Sequence, residues 1–310
     1  MRYLVTGAAG FIGSHVADAL DASGHDVLRL DAFTDNYDVV RKRENVGDAE
    51  AVELDLATAG DELAHLVEGV DGIFHLAGQP GVRSSFGPDF ALYVERNVVA
   101  SQRLFEAAAL HGIRVVFASS SSIYGDAEAL PTPEGAAARP ISPYGVTKLA
   151  CEHLAFALGR TAGLEAVGLR YFTVYGPRQR PDMAFTRLLE ALADGGTFPL
   201  LGDGSAARSF TYVADAVGAT LSAMEHGRAG ELYNVGGGET ATMAEAIALA
   251  EQISGRRLAL ERHGAAAGDV RRTGADVSKA ATELGWAPTT SLAHGLAAQW
   301  EWVAGRVAPR

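Results

Sequence analysis

Cysteine is nearly absent from the chain: Cys151 is the only one. A single thiol cannot close an intramolecular disulfide, so no cross-linked scaffold is expected, and a reducing compartment fits. Long apolar runs are missing too. None approaches the ~18 residues of a membrane-crossing helix, and the N-terminus shows no basic-then-apolar leader. The first strand starts at Arg2, which leaves little room for a targeting segment. Positive charge is scarce, with 26 Lys and Arg against 38 Asp and Glu, a net charge of −12. That balance argues against nucleic acid or an anionic membrane as partner. A bound polyanion would instead need local arginine clusters. No Cys, His or Asp spacing suggests a metal ligand set. A soluble, cytoplasmic protein is the expectation.

The chain has 310 residues, 48% of them hydrophobic, enough for one large or two fused lobes with a sizeable core. RYLVT, DVLRL, AVEL, GIFHLA, RVVFAS and EAVGLRYF read as strands. Between them SHVADALDASG, DELAHLVEG, FALYVERNVVASQRLFEAAALHG and YGVTKLACEHLAFALGRTAG have helical periodicity. Strands alternating with helices predict an α/β fold with a doubly wound parallel sheet covered on both faces. Beyond residue 171 the alternation loosens into Gly-, Pro- and Arg-rich pieces such as GPRQRPDM and NVGGGET, with helical stretches between. This part reads as a smaller C-terminal α/β lobe, giving domains 1–170 and 171–310 with interleaved segments.

The stretch RYLVTGAAGFIG places Gly7, Gly10 and Gly13 between a strand and a helix. Gly7 can take the tight turn, Gly10 lets backbone approach a pyrophosphate, and Gly13 lets the helix pack close on the sheet. The spacing differs from the general G-x-G-x-x-G fingerprint. Asp31, closing the second strand, stands at the separation where a carboxylate accepts the adenosine ribose hydroxyls and repels a 2′-phosphate. NAD is favoured over NADP. A plain turn-initiating Asp is the alternative.

Tyr144 and Lys148 lie four apart on a predicted helix and so share a face. Tyrosine is a poor base at neutral pH, but a neighbouring ammonium favours its phenolate. Upstream, RVVFA runs into Ser119-Ser120-Ser121-Ser122 at a strand's C-terminal end, where sites of open parallel sheets gather. A lone Tyr-x-x-x-Lys is also common on solvated helix faces.

TGAAGFIGS (6–14), DL (55–56), HLAG (75–78), Asn97, SSSSIYG (119–125), YGVTK (144–148), RYFTVYGPRQRP (170–181), RSFTYVADA (208–216) and GDV…ADVSKA…LGW (268–286) occur in that order. Together they resemble the extended short-chain dehydrogenase/reductase family, the nucleotide-sugar epimerases and dehydratases. The resemblance covers essentially the whole chain and implies a Rossmann-type cofactor domain. It implies Ser120, Tyr144 and Lys148 as the catalytic triad. It implies NAD held by Gly7, Gly10, Phe11, Ile12, Gly13, Asp31, Asp55, Leu56, Leu76, Ala77, Gly78, Gln79, Asn97, Ser119, Tyr144, Lys148 and Tyr171. The C-terminal lobe would bind a UDP-sugar, and two subunits would pair through helices around 89–110 and 144–160. Asn97 reads as a structural polar residue near the cofactor, His75 as a core histidine, and the three tryptophans as packing.

Within that family, 4,6-dehydratases carry Asp-Glu at the positions of Ser121 and Ser122, and UDP-glucuronate decarboxylases carry Glu at that of Ser122. This chain has neither carboxylate, which leaves hydride removal and return at C4, a 4-epimerase, with NAD remaining bound. DAFTDNYD, GQPGVRSS and Thr173 resemble the UDP-glucuronate 4-epimerases, in which the arginine at the position of Arg180 contacts the C6 carboxylate. A guanidinium fork matches a carboxylate bidentately. Arg83, Ser121 and Ser122 are further substrate candidates. Arg208 falls where the family grips the diphosphate and Asp269 where it contacts the uridine ribose. Ala266 stands where many UDP-glucose epimerases carry a diphosphate-binding arginine, three residues before Asp269, and Arg271 is the candidate substitute. The bland alternative gives Arg178, Arg180 and Arg187 to phosphates or a solvated loop. A UDP-glucose 4-epimerase, a UDP-glucuronate decarboxylase and a non-catalytic NAD-binding regulator stay open as other functions.

Overall fold

The computed structural model describes residues 1–264 and 272–306. The six predicted strands are all present: β1 (Arg2–Thr6), β2 (Asp26–Asp31), β3 (Ala51–Glu53), β4 (Gly72–His75), β5 (Arg114–Ser120) and β6 (Ala166–Tyr171). The later strands are β7 (Thr173–Tyr175), β8 (Thr197–Leu201), β9 (Ala207–Tyr212), β10 (Leu232–Val235), β11 (Thr240–Thr242), β12 (Ala259–His263) and β13 (Arg272–Thr273). One seven-stranded parallel sheet runs β3-β2-β1-β4-β5-β6-β10. The chain reverses direction across the sheet between β1 and β4, and the C-terminal ends of strands at such a switch point form a crevice.

The helices are α1 (Phe11–Ala22), α2 (Val39–Val46), α3 (Asp61–Val67), α4 (Phe90–Tyr93), α5 (Ala100–Leu110), α6 (Pro143–Ala162), α7 (Ala184–Asp194), α8 (Val213–His226), α9 (Met243–Ser254), α10 (Ser278–Leu284) and α11 (Leu292–Ala304). Of these, α1, α8 and α10 cover one face of the sheet and α3, α5 and α6 the other. Successive residues of a strand point to opposite faces. Thus Val116 packs with α1, α8 and α10 through Val16, Leu20, Val217 and Leu284. Its neighbours Val115 and Phe117 pack with α3, α5 and α6 through Leu63, Leu104, Phe105 and Ala155. A separate core of Tyr175, Phe185, Leu189, Phe210 and Leu296 organises the smaller lobe. There β9 pairs with β7, β11 and β13, and β8 with β12.

Three details differ from the sequence reading. The long helix expected over FALYVERNVVASQRLFEAAALHG is interrupted: Val94–Val99 wind as a π-helix between α4 and α5. The extra residue in that turn, a feature common at functional sites, brings Asn97 inside at 1% exposure. Helix α2 was not expected, because VVRKRENV is too polar to show an apolar stripe. It starts at an N-cap, where Asp38 accepts the Val40 N–H (2.9 Å). Strand β10 lies partly in the glycine-rich stretch read as loop, yet it forms an edge of the large sheet beside β6.

No described helix is long and apolar enough to cross a membrane. His75 is a core residue, 3% exposed and set between the hydroxyls of Thr6 (2.8 Å) and Ser101 (2.9 Å). Burial foremost, then the Lys148 charge, pushes its pKa down from 6.5 to about 3. The unfolded chain therefore takes up this proton near pH 6.5 and the folded chain only near pH 3. Stability from this group is complete above the unfolded value and falls as pH drops from 6.5 towards 3. Denaturant titrations should show about 2 kcal/mol lost to His75 between pH 8 and pH 5, and His75→Gln should flatten that part of the profile.

Candidate functional site

At the switch point the glycine turn is sterically dictated. Gly7 has φ +69°, and a Cβ there would lie 2.7 Å from the Ala77 nitrogen. A Cβ on Gly13 would meet the Gly7 carbonyl oxygen at 2.1 Å. Backbone thus touches backbone on both sides of the turn, and only glycine fits. Helix α1 then begins at Gly10 with no side-chain cap and no acidic residue in its first turn. Its first N–H groups are left for an anionic ligand. Asp31, 7% exposed, is oriented by two backbone donors: Ala9 N–H to Oδ2 (3.0 Å) and Phe33 N–H to Oδ1 (2.8 Å). Its remaining lone pairs suit ribose hydroxyls. An uncapped helix N-terminus, a glycine cradle and an oriented carboxylate together fit an NAD-type dinucleotide.

One cleft brings together most of the residues the sequence singled out. Gly7, Gly10, Phe11, Ile12, Gly13, Asp31, Asp55, Leu56, Leu76, Ala77, Gly78, Gln79, Ser119, Ser120, Tyr144, Lys148, Tyr171 and Arg180 all line it. Asn97 sits behind the wall. Its Oδ1 accepts the Gln79 N–H (2.7 Å), and its Nδ2 donates to the Gln79 carbonyl (3.1 Å) and Thr147 Oγ1 (3.0 Å). It shapes the loop that lines the cleft. Arg83 is exposed on a short turn after β4. Ser121 and Ser122 form the turn after β5, Thr173 opens β7, and Arg208 lies in β9 with Nη1 on the Ala207 carbonyl (3.0 Å). None of these five is among the cleft-lining residues. Asp269 and Arg271, with Ala266, lie outside the described residues.

Helix α6 carries Tyr144 and Lys148. Ser142 caps it through the Gly145 N–H (3.1 Å), and Ser85, from the loop after β4, accepts the Tyr144 N–H (3.1 Å). One turn on, Lys148 Nζ donates to the Ala118 carbonyl (3.1 Å) at the end of β5. Ser120 Oγ accepts the Ser122 N–H (3.1 Å), which turns the serine run back across the strand end. One turn beyond Lys148, Glu152 is 1% exposed and accepts a two-pronged bond from Arg170, Nε to Oε1 (2.8 Å) and Nη2 to Oε2 (2.7 Å). Ser119 Oγ donates to the same carboxylate (2.5 Å). Arg170 Nη1 reaches Tyr124 Oη (2.8 Å), and Tyr124 donates to Asn234 Oδ1 (2.8 Å) on β10. Glu152 holds the Arg170 pKa above its ordinary value against the opposing effect of burial.

The wall also includes Lys42 and Arg96, which the sequence reading missed, and Thr34, Asn36 and Tyr37 of DAFTDNYD, a stretch it singled out without assigning its residues a place in the cleft. Lys42 is buried and donates to the Thr34 carbonyl (2.6 Å) and hydroxyl (3.0 Å) and to Asn36 Oδ1 (2.8 Å). Desolvation lowers its pKa, with Asp31 opposing. Burial, reinforced by Asp31, pushes the Tyr37 phenol up to about 12. Tyr37 Oη is buried without a hydrogen-bond partner. The usable signal was Asp38 opening a short helix, which the polarity of VVRKRENV hid. Among the described residues no cluster of His, Cys, Asp and Glu is arranged for a metal.

Against known proteins, the profile of the NAD dependent epimerase/dehydratase family matches residues 3–236. The chain belongs to this family. An uncharacterised UDP-glucose epimerase of Bacillus subtilis is 44% identical over 305 residues, covering 96% of both chains. A UDP-glucuronate 4-epimerase of Thermodesulfobacterium geofontis is 33% identical over 310 residues, covering 97% of this chain and 95% of that one. The crystal structure of UDP-glucuronic acid 4-epimerase from Bacillus cereus, in complex with UDP-glucuronic acid and NAD, superposes with TM-score 0.94 at 38% identity. It covers 99% of this chain and 100% of that one. The Rossmann-type sheet of this epimerase/dehydratase chain is thus shared with its solved relative over essentially its full length.

Removing one partner of a buried pair strands a charge in low dielectric. Glu152→Ala should lower the free energy of unfolding by about 3–5 kcal/mol, read as a shift of the urea midpoint without a change in slope.

Proposed function

We propose that the protein is an NAD-dependent 4-epimerase interconverting UDP-glucuronate and UDP-galacturonate. The observation carrying this reading is that Arg180 lines the same cleft as Ser120, Tyr144 and Lys148. A guanidinium there suits a carboxylate-bearing sugar. The turn at Ser121 and Ser122 carries no carboxylate for elimination or decarboxylation, and the relatives named for UDP-glucuronate support the same substrate.

When bound, NAD supplies the acceptor and donor of hydride for sugar C4. Gly7, Gly10 and Gly13, the first turn of α1 and Asp31 would hold it. Tyr144 takes the proton of the 4-hydroxyl and later returns it. Lys148, one helical turn from Tyr144 and fixed on the Ala118 carbonyl, would hold the cofactor's ribose. Ser120, at the end of β5, steadies the reacting oxygen. The planar 4-keto sugar turns within the cleft before C4 is reduced on its other face.

The same proposal assigns cofactor binding to residues 1–170 and most sugar contacts to 171–310, in a cytoplasmic homodimer. Phe86 and Phe90 are 50% and 39% exposed, and Val146 on α6 is 47% exposed. Helix α4 packs beside α6, so these side chains leave apolar surface for a second copy. A UDP-glucose 4-epimerase is the second reading, favoured by the Bacillus subtilis relative.

Purified protein should epimerise UDP-glucuronate without added cofactor and without releasing CO2, and faster than UDP-glucose. The opposite preference would establish the second reading. Tyr144→Phe should cost ~10²–10⁴-fold in kcat. Arg180→Ala should impair UDP-glucuronate and spare UDP-glucose. Light scattering should return twice the mass of one chain.

A further inference from the structure

Arg180 follows a loop fixed from both lobes. His15 of α1 bonds the Pro177 carbonyl through Nε2 (2.9 Å), and Arg178 Nη1 donates to Asp18 Oδ2 (2.6 Å). Gln179 is 3% exposed. It donates to the Val174 carbonyl (3.1 Å) and accepts from Thr186 N–H (3.1 Å) and Gln299 Nε2 (2.9 Å). The Met183 N–H closes on the Arg180 carbonyl (3.1 Å). The backbone of Arg180 is therefore placed, and what remains free is its long side chain.

Asp182 removes that freedom. Arg180 donates from Nε to Oδ1 and from Nη2 to Oδ2, both at 2.9 Å, so one edge of the guanidinium is fully engaged. The fork has two such edges. The Asp182 side chain is 57% exposed and that of Arg180 20%, so the carboxylate holds the arginine from the solvent side. The second edge, Nη1 with the other hydrogen of Nη2, is not engaged by Asp182, and Arg180 is among the residues that line the cleft.

We infer that Asp182 is a positioning residue for substrate discrimination: it clamps one edge of Arg180 so that the other is presented, already oriented, to the carboxylate of a hexuronate. This rests on the reading of Arg180 given under Proposed function. A neutral hexose, with no carboxylate for the second edge to meet, gains nothing from the clamp. Pre-orientation of a binding group acts on association with substrate rather than on the chemical step.

The test compares wild type, Asp182→Ala, Arg180→Ala and the double variant on UDP-glucuronate and UDP-glucose, with retained NAD quantified in each preparation. Asp182→Ala should raise KM for UDP-glucuronate about tenfold, the scale of one charge-assisted contact. Its kcat, the UDP-glucose constants and the retained NAD should stay within about twofold of wild type. On the Arg180→Ala background, Asp182→Ala should add nothing, because the clamp has no arginine to hold. A lower KM for UDP-glucuronate in Asp182→Ala would mean that Asp182 competes with substrate, and would overturn the inference. Equal losses on both sugars would overturn it as well, by marking a general structural role. If Arg180→Ala itself fails to separate the two sugars, the carboxylate reading falls instead.

Discussion

The end of the cleft that holds Tyr144 and Lys148 hangs on a charge pair buried away from solvent. Glu152 and Arg170 meet in the interior through a matched two-pronged fork, and removing either would leave the other buried without its partner. The pair also decides geometry. Glu152 belongs to the helix that carries Tyr144 and Lys148, Arg170 to β6, and Ser119, bonded to the same carboxylate, to β5. Helix and strand ends are thereby held in one register. Through Tyr124 and Asn234 the network extends to β10, at the sheet's edge. A hydrophobic replacement could fill that space, but it would not dictate how far α6 slides along the sheet.

The cofactor side obeys a different constraint, excluded volume. Between Gly7, Gly13 and the backbone at Ala77 there is no room for a methyl group. Steric exclusion of this kind leaves a signature in sequence, since it admits one residue type. That explains why the glycine turn was legible in the sequence. Asp31 and the Tyr144–Lys148 pair were legible from their spacing, and all of them line one cleft, their roles there being those proposed above. The strand alternation was legible because strands buried on both faces read as short continuous apolar runs.

What was not legible shares a cause. Lys42 and Tyr37 reach the cleft from a short polar helix and its preceding loop, whose identity depends on a cap rather than on periodicity. The π-helical turn at Val94–Val99 is invisible to a 3.6-residue period, because one added residue only shifts its phase. Strand β10 is four residues long beside a run of glycines, and its partner lies some sixty residues upstream on β6.

That placement of β10 also bears on modularity. The strand returns from the C-terminal half of the chain to flank β6, and α8 packs on α1 from the same direction. Severing the chain near residue 170 would expose a hydrogen-bonding edge on β6 and uncover one flank of the phosphate-facing helix. Exchanging C-terminal lobes between relatives would therefore need a graft that carries its own edge strand and covering helix, so chimeras here obey the topology of the sheet rather than a single cut in the sequence.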